Sequence, residues 1–324
     1  MTKEYLVSFN DEEKSKAKIL LATQVVKMMG RKFEEGDWST VYCGAKGIPE
    51  SEWSNLHIDI NHNGLGVEHK MKCEKPKRSL LEVCGTTLMH PSATRSIRIE
   101  STEIDANEAM HDVLNQYAEL IHYRTERVRA ASPSNTSDMR TGWLLWERSL
   151  TEFIYFEERM LIPDPNLFYA QWNEKERNGA RKSSKNLWIY EKETHKKRYS
   201  VTTSAGAKIQ PYFDVPSPTS VALNYFRVQG EELTSGRILI WLSTSTAREL
   251  KRLLGDNLDA DTLSEAIFRS STYFEEHERD AASTGDLAIP LEITKPAYEV
   301  LVETWGGISD EHRAQLLIQT LRNL

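Results

Sequence analysis

The sequence predicts a mixed α/β fold, and three observations carry that prediction. Residues 11–31 repeat apolar side chains at helical spacing; two short apolar runs flank Asn63-Gly64; and residues 104–130 form a second long helical pattern with strand-like runs beyond it. In the first segment Ala17, Leu20, Leu21, Val25, Met28 and Met29 fall on one side, with Asn10 placed to cap the start and Gly30 and Gly36 bracketing the end. From Tyr42 to Ser54 the signals are turns: Gly44, Gly47 and the Ile48-Pro49 step. The runs Leu56–Ile60 and Leu65–Met71 read as strands joined by a tight hairpin, because Asn-Gly accepts the positive φ angles such a turn requires. Leu80–Met89, rich in Thr and Val, is expected to be a third strand, with Arg95–Glu100 a possible fourth.

In the second long helix, from Ile104 to Ala130, Met110, Val113, Leu114, Tyr117, Leu120 and Ile121 line one side and basic residues gather near the end. Ser132 to Ser137 is a polar loop. Strands are expected at Gly142–Glu147, Leu187–Glu191, Tyr199–Thr203 and Arg237–Ser243. Helices are expected at Thr246–Leu254, Asp261–Glu276 and Asp310–Leu324. No internal repeat is visible. The division expected is a first domain over residues 1–150 and an α+β extension over 151–324.

Composition narrows the class. The chain has 324 residues, 39% hydrophobic and 27% charged, which suits a packed protein and excludes disordered or low-complexity classes. No apolar run approaches the ~20 residues that span a bilayer, and the first residues lack a secretion-signal profile, so no membrane contact and a cytoplasmic location are expected. Cys43, Cys73 and Cys84 are too few and too scattered for a disulfide framework. The net charge of −7 is unevenly spread. Residues 231–324 hold 9 Lys and Arg against 17 Asp and Glu, whereas residues 172–200 hold 9 against 4. Local field steers a polyanion more than global charge does, so DNA remains a candidate partner.

The chemistry-bearing segment is SNLHIDINHNGLGVEHKMK, Ser54 to Lys72. Side chains alternate along a strand, so Glu68 and Lys70 share a face, and a hairpin returns that strand beside Asp59. Two carboxylates that close are difficult to keep ionised, and a divalent cation resolves the conflict. Hard oxygen ligands select Mg²⁺, with Mn²⁺ as a substitute. Asp59 and Glu68 are the expected metal ligands, with the main-chain carbonyl of His69 as a third. Lys70 is expected to orient water or stabilise charge on phosphorus.

This pattern resembles the PD-(D/E)xK nuclease superfamily, and within it the type II restriction endonucleases, over roughly residues 12–125. Asp59 matches the first acid, Glu68 the second and Lys70 the lysine; Ile58 stands where the family name has proline. The resemblance implies a restriction-endonuclease-like αβββαβ core, with Gly142–Glu147 as its last strand. Some members also carry a helix glutamate near the metal, for which Glu34 and Glu35 are the candidates. The function implied is Mg²⁺-dependent, sequence-specific cleavage of double-stranded DNA by a homodimer, with a DNA methyltransferase as a genetic rather than physical partner. A repair or modification-dependent nuclease of the same fold, and a non-catalytic DNA-binding protein whose charge cluster is structural, remain open.

Rival motifs fare worse. His57, His62 and His69 do not form an HNH-type site, because no helix pattern follows Met71. The cysteine and histidine spacings fit no zinc pattern. There is no P-loop, dinucleotide fingerprint or nucleophile elbow. Phosphate contacts are expected from Arg95 in the polar loop 90–96, from Arg124 and Arg140 near the Ser/Asn-rich loop, and from Lys182, Lys185, Lys196 and Lys197 in the aromatic-bearing basic segment.

Overall fold

The computed structural model describes residues 4–28, 32–49, 58–76, 78–91, 97–99, 101–175, 184–203, 208–255, 259–270, 287–306 and 308–324. In chain order its first elements are β1 (Tyr5–Leu6), α1 (Asp11–Met28), α2 (Glu35–Lys46), β2 (Ile60–His62), β3 (Leu65–Glu74), β4 (Thr87–Met89) and α3 (Ala106–Ala130). The strands β5 (Asp138–Glu147), β6 (Glu152–Arg159), β7 (Phe168–Lys175), β8 (Ser184–Glu191), β9 (Lys197–Thr202), β10 (Lys208–Asp214), β11 (Asn224–Arg227), β12 (Glu231–Glu232) and β13 (Arg237–Leu242) follow. The chain closes with α4 (Thr244–Leu254), α5 (Ala260–Ser270), β14 (Ile289–Thr294), α6 (Lys295–Thr304) and α7 (Asp310–Asn323). The fold is mixed α/β, with seven helices and three sheets among the described residues.

The first sheet runs β1-β6-β5-β3-β2, with β11 also paired to β6. At one edge lies the hairpin β2–β3, whose turn residues Asn63 and Gly64 both take positive φ, 49° and 86°. β3 then pairs in parallel with β5 over ten residues, from Leu65↔Asp138 to Glu74↔Glu147. A parallel neighbour needs a crossover, and α3 lies in it. Asp105 starts α3 by accepting from Asn107 and Glu108 N–H. The sheet continues through the antiparallel β5–β6 pair, so the boundary expected near residue 150 falls within a β-hairpin.

α1 and α2 cover one face of this sheet, and Trp38, Tyr42, Phe153, Tyr155 and Phe226 fill the space between. Asn10 and Glu13 close a reciprocal cap on α1: each side chain accepts the other's backbone N–H, at 2.8 and 2.9 Å. α2 corrects the expectation of turns around Gly44. The helix runs through that glycine because a Cβ there would stand 2.8 Å from Leu20 of α1, and it stops only at Gly47, φ 67°. The expected strand at Leu80–Met89 is corrected as well. Leu80–Val83 is a 3-10 turn held by the buried Glu152 carboxylate, which accepts from Leu80 N–H and Ser79 Oγ–H. Thr87–Met89 joins β10 in the second sheet instead. Residues 97–99 form no strand, and the rest of the Arg95–Glu100 run lies outside the described residues.

The second sheet, β4-β10-β9-β8-β7, is wholly antiparallel and packs on α3. The third, β12-β13-β14, forms its own core with α4 to α7 and touches α1. All three cysteines are free thiols. Among the described residues no helix is long and apolar enough to cross a membrane.

Gly142, opposite His69 in the parallel ladder, admits no side chain. A Cβ there would lie 2.4 Å from Tyr155 Oη and 2.8 Å from the His69 ring. Gly142→Ala is therefore expected to cost about 1–3 kcal/mol of stability through overpacking. Urea unfolding measures this, and an unchanged midpoint would contradict the packing described.

Candidate active site

Strand alternation sets the site. On β3, Glu68 and Lys70 face α3, while His69 faces α1 and α2. Lys70 Nζ donates to Glu68 Oε1 at 2.6 Å, and Arg124 Nη1, reaching down from α3, lies 3.1 Å from the same oxygen. Glu68 is only 6% exposed, and its other oxygen, Oε2, is buried with no hydrogen-bond partner among the described residues. A buried acceptor left unsatisfied is costly, which makes Oε2 a candidate ligand atom.

Asp59 stands just before β2. Because Ile60 pairs with Val67, Asp59 comes opposite Glu68, where its Oδ2 accepts the His69 N–H at 2.6 Å. An extended residue presents its N–H and C=O on the same strand edge, so the His69 carbonyl also leaves toward Asp59. Burial pushes the Asp59 carboxyl up to about 7, and the charges of Glu68 and Glu35 add to this against the pull of Lys70 and the His69 N–H. Burial, with the charge of Glu68, also raises Glu35, while Lys70 lowers it.

Of the two helix glutamates, Glu35 is therefore the one within electrostatic reach. It opens α2, the second helix rather than the first. Glu34 is exposed and caps α2 in a reciprocal box with Asp37.

The His69 ring is fully buried between Trp38, Tyr42 and Tyr155, and burial holds its pKa down at about 3. With the ring enclosed, it is the main chain of His69 that faces Asp59. Among the described residues no three His, Cys, Asp or Glu side chains gather into a metal-holding group. The donor set here is two carboxylates and a peptide carbonyl, leaving further positions to water. Orphaned Glu68 Oε2 and the mutually repelling Asp59 carboxyl suit a hard divalent cation.

Tyr117, Thr141, Trp143, Glu158, Tyr199 and Pro211 complete the cleft around Glu68, Lys70 and Arg124. None of these six stands out in the sequence. Thr141 reaches the site only because β5 pairs in parallel with β3, placing it beside Glu68. Glu158 arrives on β6, where it accepts from Trp143 Nε1–H at 2.9 Å.

The expected phosphate-binding residues divide. Arg124 lies in the cleft. Lys185 and Lys197 lie on the second sheet, Lys196 lies in the turn before β9, and Arg95 and Lys182 lie outside the described residues. Lys185 lies within 4 Å of Glu174 and Glu103, and Lys196, half exposed, is 3.8 Å from Asp214. Arg140 projects to the opposite face from Glu68, and its guanidinium is held by Asp138 and by Glu157, which is 0% exposed. Its pKa is raised by those two carboxylates against the effect of burial. Arg140→Ala would leave the buried Glu157 carboxylate without its arginine, beside the Tyr155 hydroxyl that donates to it. A loss of about 3–5 kcal/mol is expected in denaturant unfolding, with little change in the salt dependence of DNA binding. The reverse pattern would make Arg140 a phosphate contact.

Asp59 also predicts a pH response of the metal-free protein. Its folded pKa, about 7, lies above the ordinary 3.8, so the folded state holds this proton more tightly than the unfolded chain. The stability it contributes is full at acid pH and is lost as pH rises toward 7, at roughly 1.4 kcal/mol per unit within that window. Asp59→Asn is expected to raise the melting temperature at pH 8 and leave it nearly unchanged at pH 4. Equal effects at both pH values would contradict the charge crowding.

Compared with known proteins, the chain matches no family model, no curated protein and no solved structure.

Proposed function

We propose that the chain is a Mg²⁺-dependent endonuclease of double-stranded DNA, acting as a type II restriction enzyme with a restriction-endonuclease-like core. The observation that carries this reading is the meeting of Asp59, Glu68 and Lys70 on one hairpin, with a buried carboxylate oxygen unsatisfied. The order β2–β3–α3–β5, with β3 and β5 parallel around the crossover helix, supports part of the core, whose strand expected at Leu80–Met89 joins the second sheet instead. Asp59, Glu68 Oε2 and the His69 carbonyl would hold Mg²⁺, which when bound polarises the scissile phosphate and lowers the pKa of a water. Lys70 orients the attacking water or offsets charge building on the phosphate oxygens. Arg124 adds positive charge at the cleft wall. A palindromic target calls for a two-fold homodimer, because protein symmetry mirrors site symmetry.

One observation favours a different reading. Glu68 already contacts two cations, Lys70 and Arg124, which suits a structural charge cluster in a DNA-binding protein without catalysis. Digestion of pooled genomic DNA in Mg²⁺, with sequencing of the ends, separates the possibilities. Ends at one short symmetric sequence support a restriction enzyme. Scattered nicks or cuts confined to modified DNA favour a repair or modification-dependent nuclease, and intact DNA leaves the non-catalytic binder.

A further inference from the structure

The five-stranded sheet carries a second surface with its own chemistry. α3 packs on one of its faces, burying Phe168, Leu187, Ile189 and Val201. Alternation sends Tyr169, Gln171, Trp188, Tyr190 and Tyr212 to the other face. The four rings there are partly exposed. Tyr169 and Tyr190 are cross-strand partners whose rings lie parallel within 16°, centroids 5.3 Å apart. Beside them the pairing of β8 with β9 slips: Ile189 faces Tyr199, but Tyr190 faces Lys197, leaving Arg198 bulged out.

Such a bulge re-aims a side chain. Here it places Lys197 Nζ 3.2 Å from the Trp188 ring centre and within 6 Å of Tyr212 and Tyr190. Residues 184–202 hold five Lys and Arg against two Asp and Glu, so the surroundings favour an anion. Flat rings with a cation among them match a nucleobase stacked beside its phosphate, and stacking tolerates any sequence. In a duplex the base faces are already covered by their neighbours.

We propose that this face holds unpaired bases of a DNA strand. Tyr199 and Pro211, which line the cleft containing Glu68 and Lys70, lie on the opposite, α3-facing side of this sheet, so the platform is a surface apart from the cleft. The choice of DNA rests on the nuclease reading, but binding is measured without cleavage, so the two fail separately. The test is fluorescence anisotropy of the full chain in EDTA, with fluorescein-labelled oligo-dT against a duplex of equal length. Wild type is expected to bind both, with the rings used by oligo-dT and not by the duplex. Trp188→Ala and Tyr190→Ala are each expected to weaken oligo-dT binding roughly five- to hundred-fold, while Trp188→Phe, which keeps a ring, retains most of it. Lys197→Gln is expected to reduce the slope of log affinity against log salt by about 0.7. Failure to bind oligo-dT, or unchanged oligo-dT binding by folded Trp188→Ala and Tyr190→Ala, would overturn the proposal. Retained ring-dependent binding by a protein that cuts nothing in Mg²⁺ would remove the nuclease and keep the platform.

Discussion

Alanine at Asp59 or Glu68 is expected to reduce Mg²⁺-dependent cleavage by several orders of magnitude while DNA binding stays equal or tightens. On the proposed reading each side chain would supply a hard oxygen to one cation, and Glu35, at the start of α2, stands on a different element. Losing a metal ligand removes both the polarised phosphate and the activated water. Binding moves the other way because each change deletes a carboxyl group near Lys70, and Glu68 is also paired with Arg124, so these cations then face phosphate with less competition. The check is a single-turnover cleavage rate alongside anisotropy, with circular dichroism showing that the variants fold. Either variant cutting at the wild-type rate would remove the assignment of both carboxylates.

Lys70→Ala is expected to lower the cleavage rate by about 10²–10⁴-fold, the range typical of a positioned proton-transfer or charge-stabilising group. Lys70→Arg is expected to rescue little, since a planar guanidinium cannot take the place of a compact ammonium 2.6 Å from Glu68. Both variants are expected to fold, because Arg124 still balances Glu68. A tenth of the wild-type rate in Lys70→Ala would reduce Lys70 to a structural partner of Glu68.

The hairpin was legible because its information is local. Asn63-Gly64 fixes the turn, the turn fixes the register, and the register brings Asp59 opposite Glu68. The long helix and its following strand were legible by periodicity, within a few residues at each end. What the sequence hid depends on partners far along the chain. Gly44 reads as a turn signal, yet it is a packing glycine under Leu20. Thr87–Met89 had strand character, but nothing local says that its partner is β10. Arg140 carries the same charge as Arg124; only the parallel register sends one to a buried ion pair and leaves the other over Glu68. Glu35 reaches the site because α2 begins there, and α2 itself was masked by three glycines.

The central measurement is single-turnover cleavage of a large mixed DNA substrate by the wild-type chain and by Glu68→Gln, each in Mg²⁺ and in EDTA. Glutamine keeps the shape of the side chain but lacks the charge that a divalent cation needs. Discrete fragments from the wild type in Mg²⁺ alone, with none from Glu68→Gln, are the expected result. Cleavage that persists in Glu68→Gln or in EDTA, or none by the folded wild type under any divalent metal, would contradict a metal-dependent nuclease site at Asp59, Glu68 and Lys70.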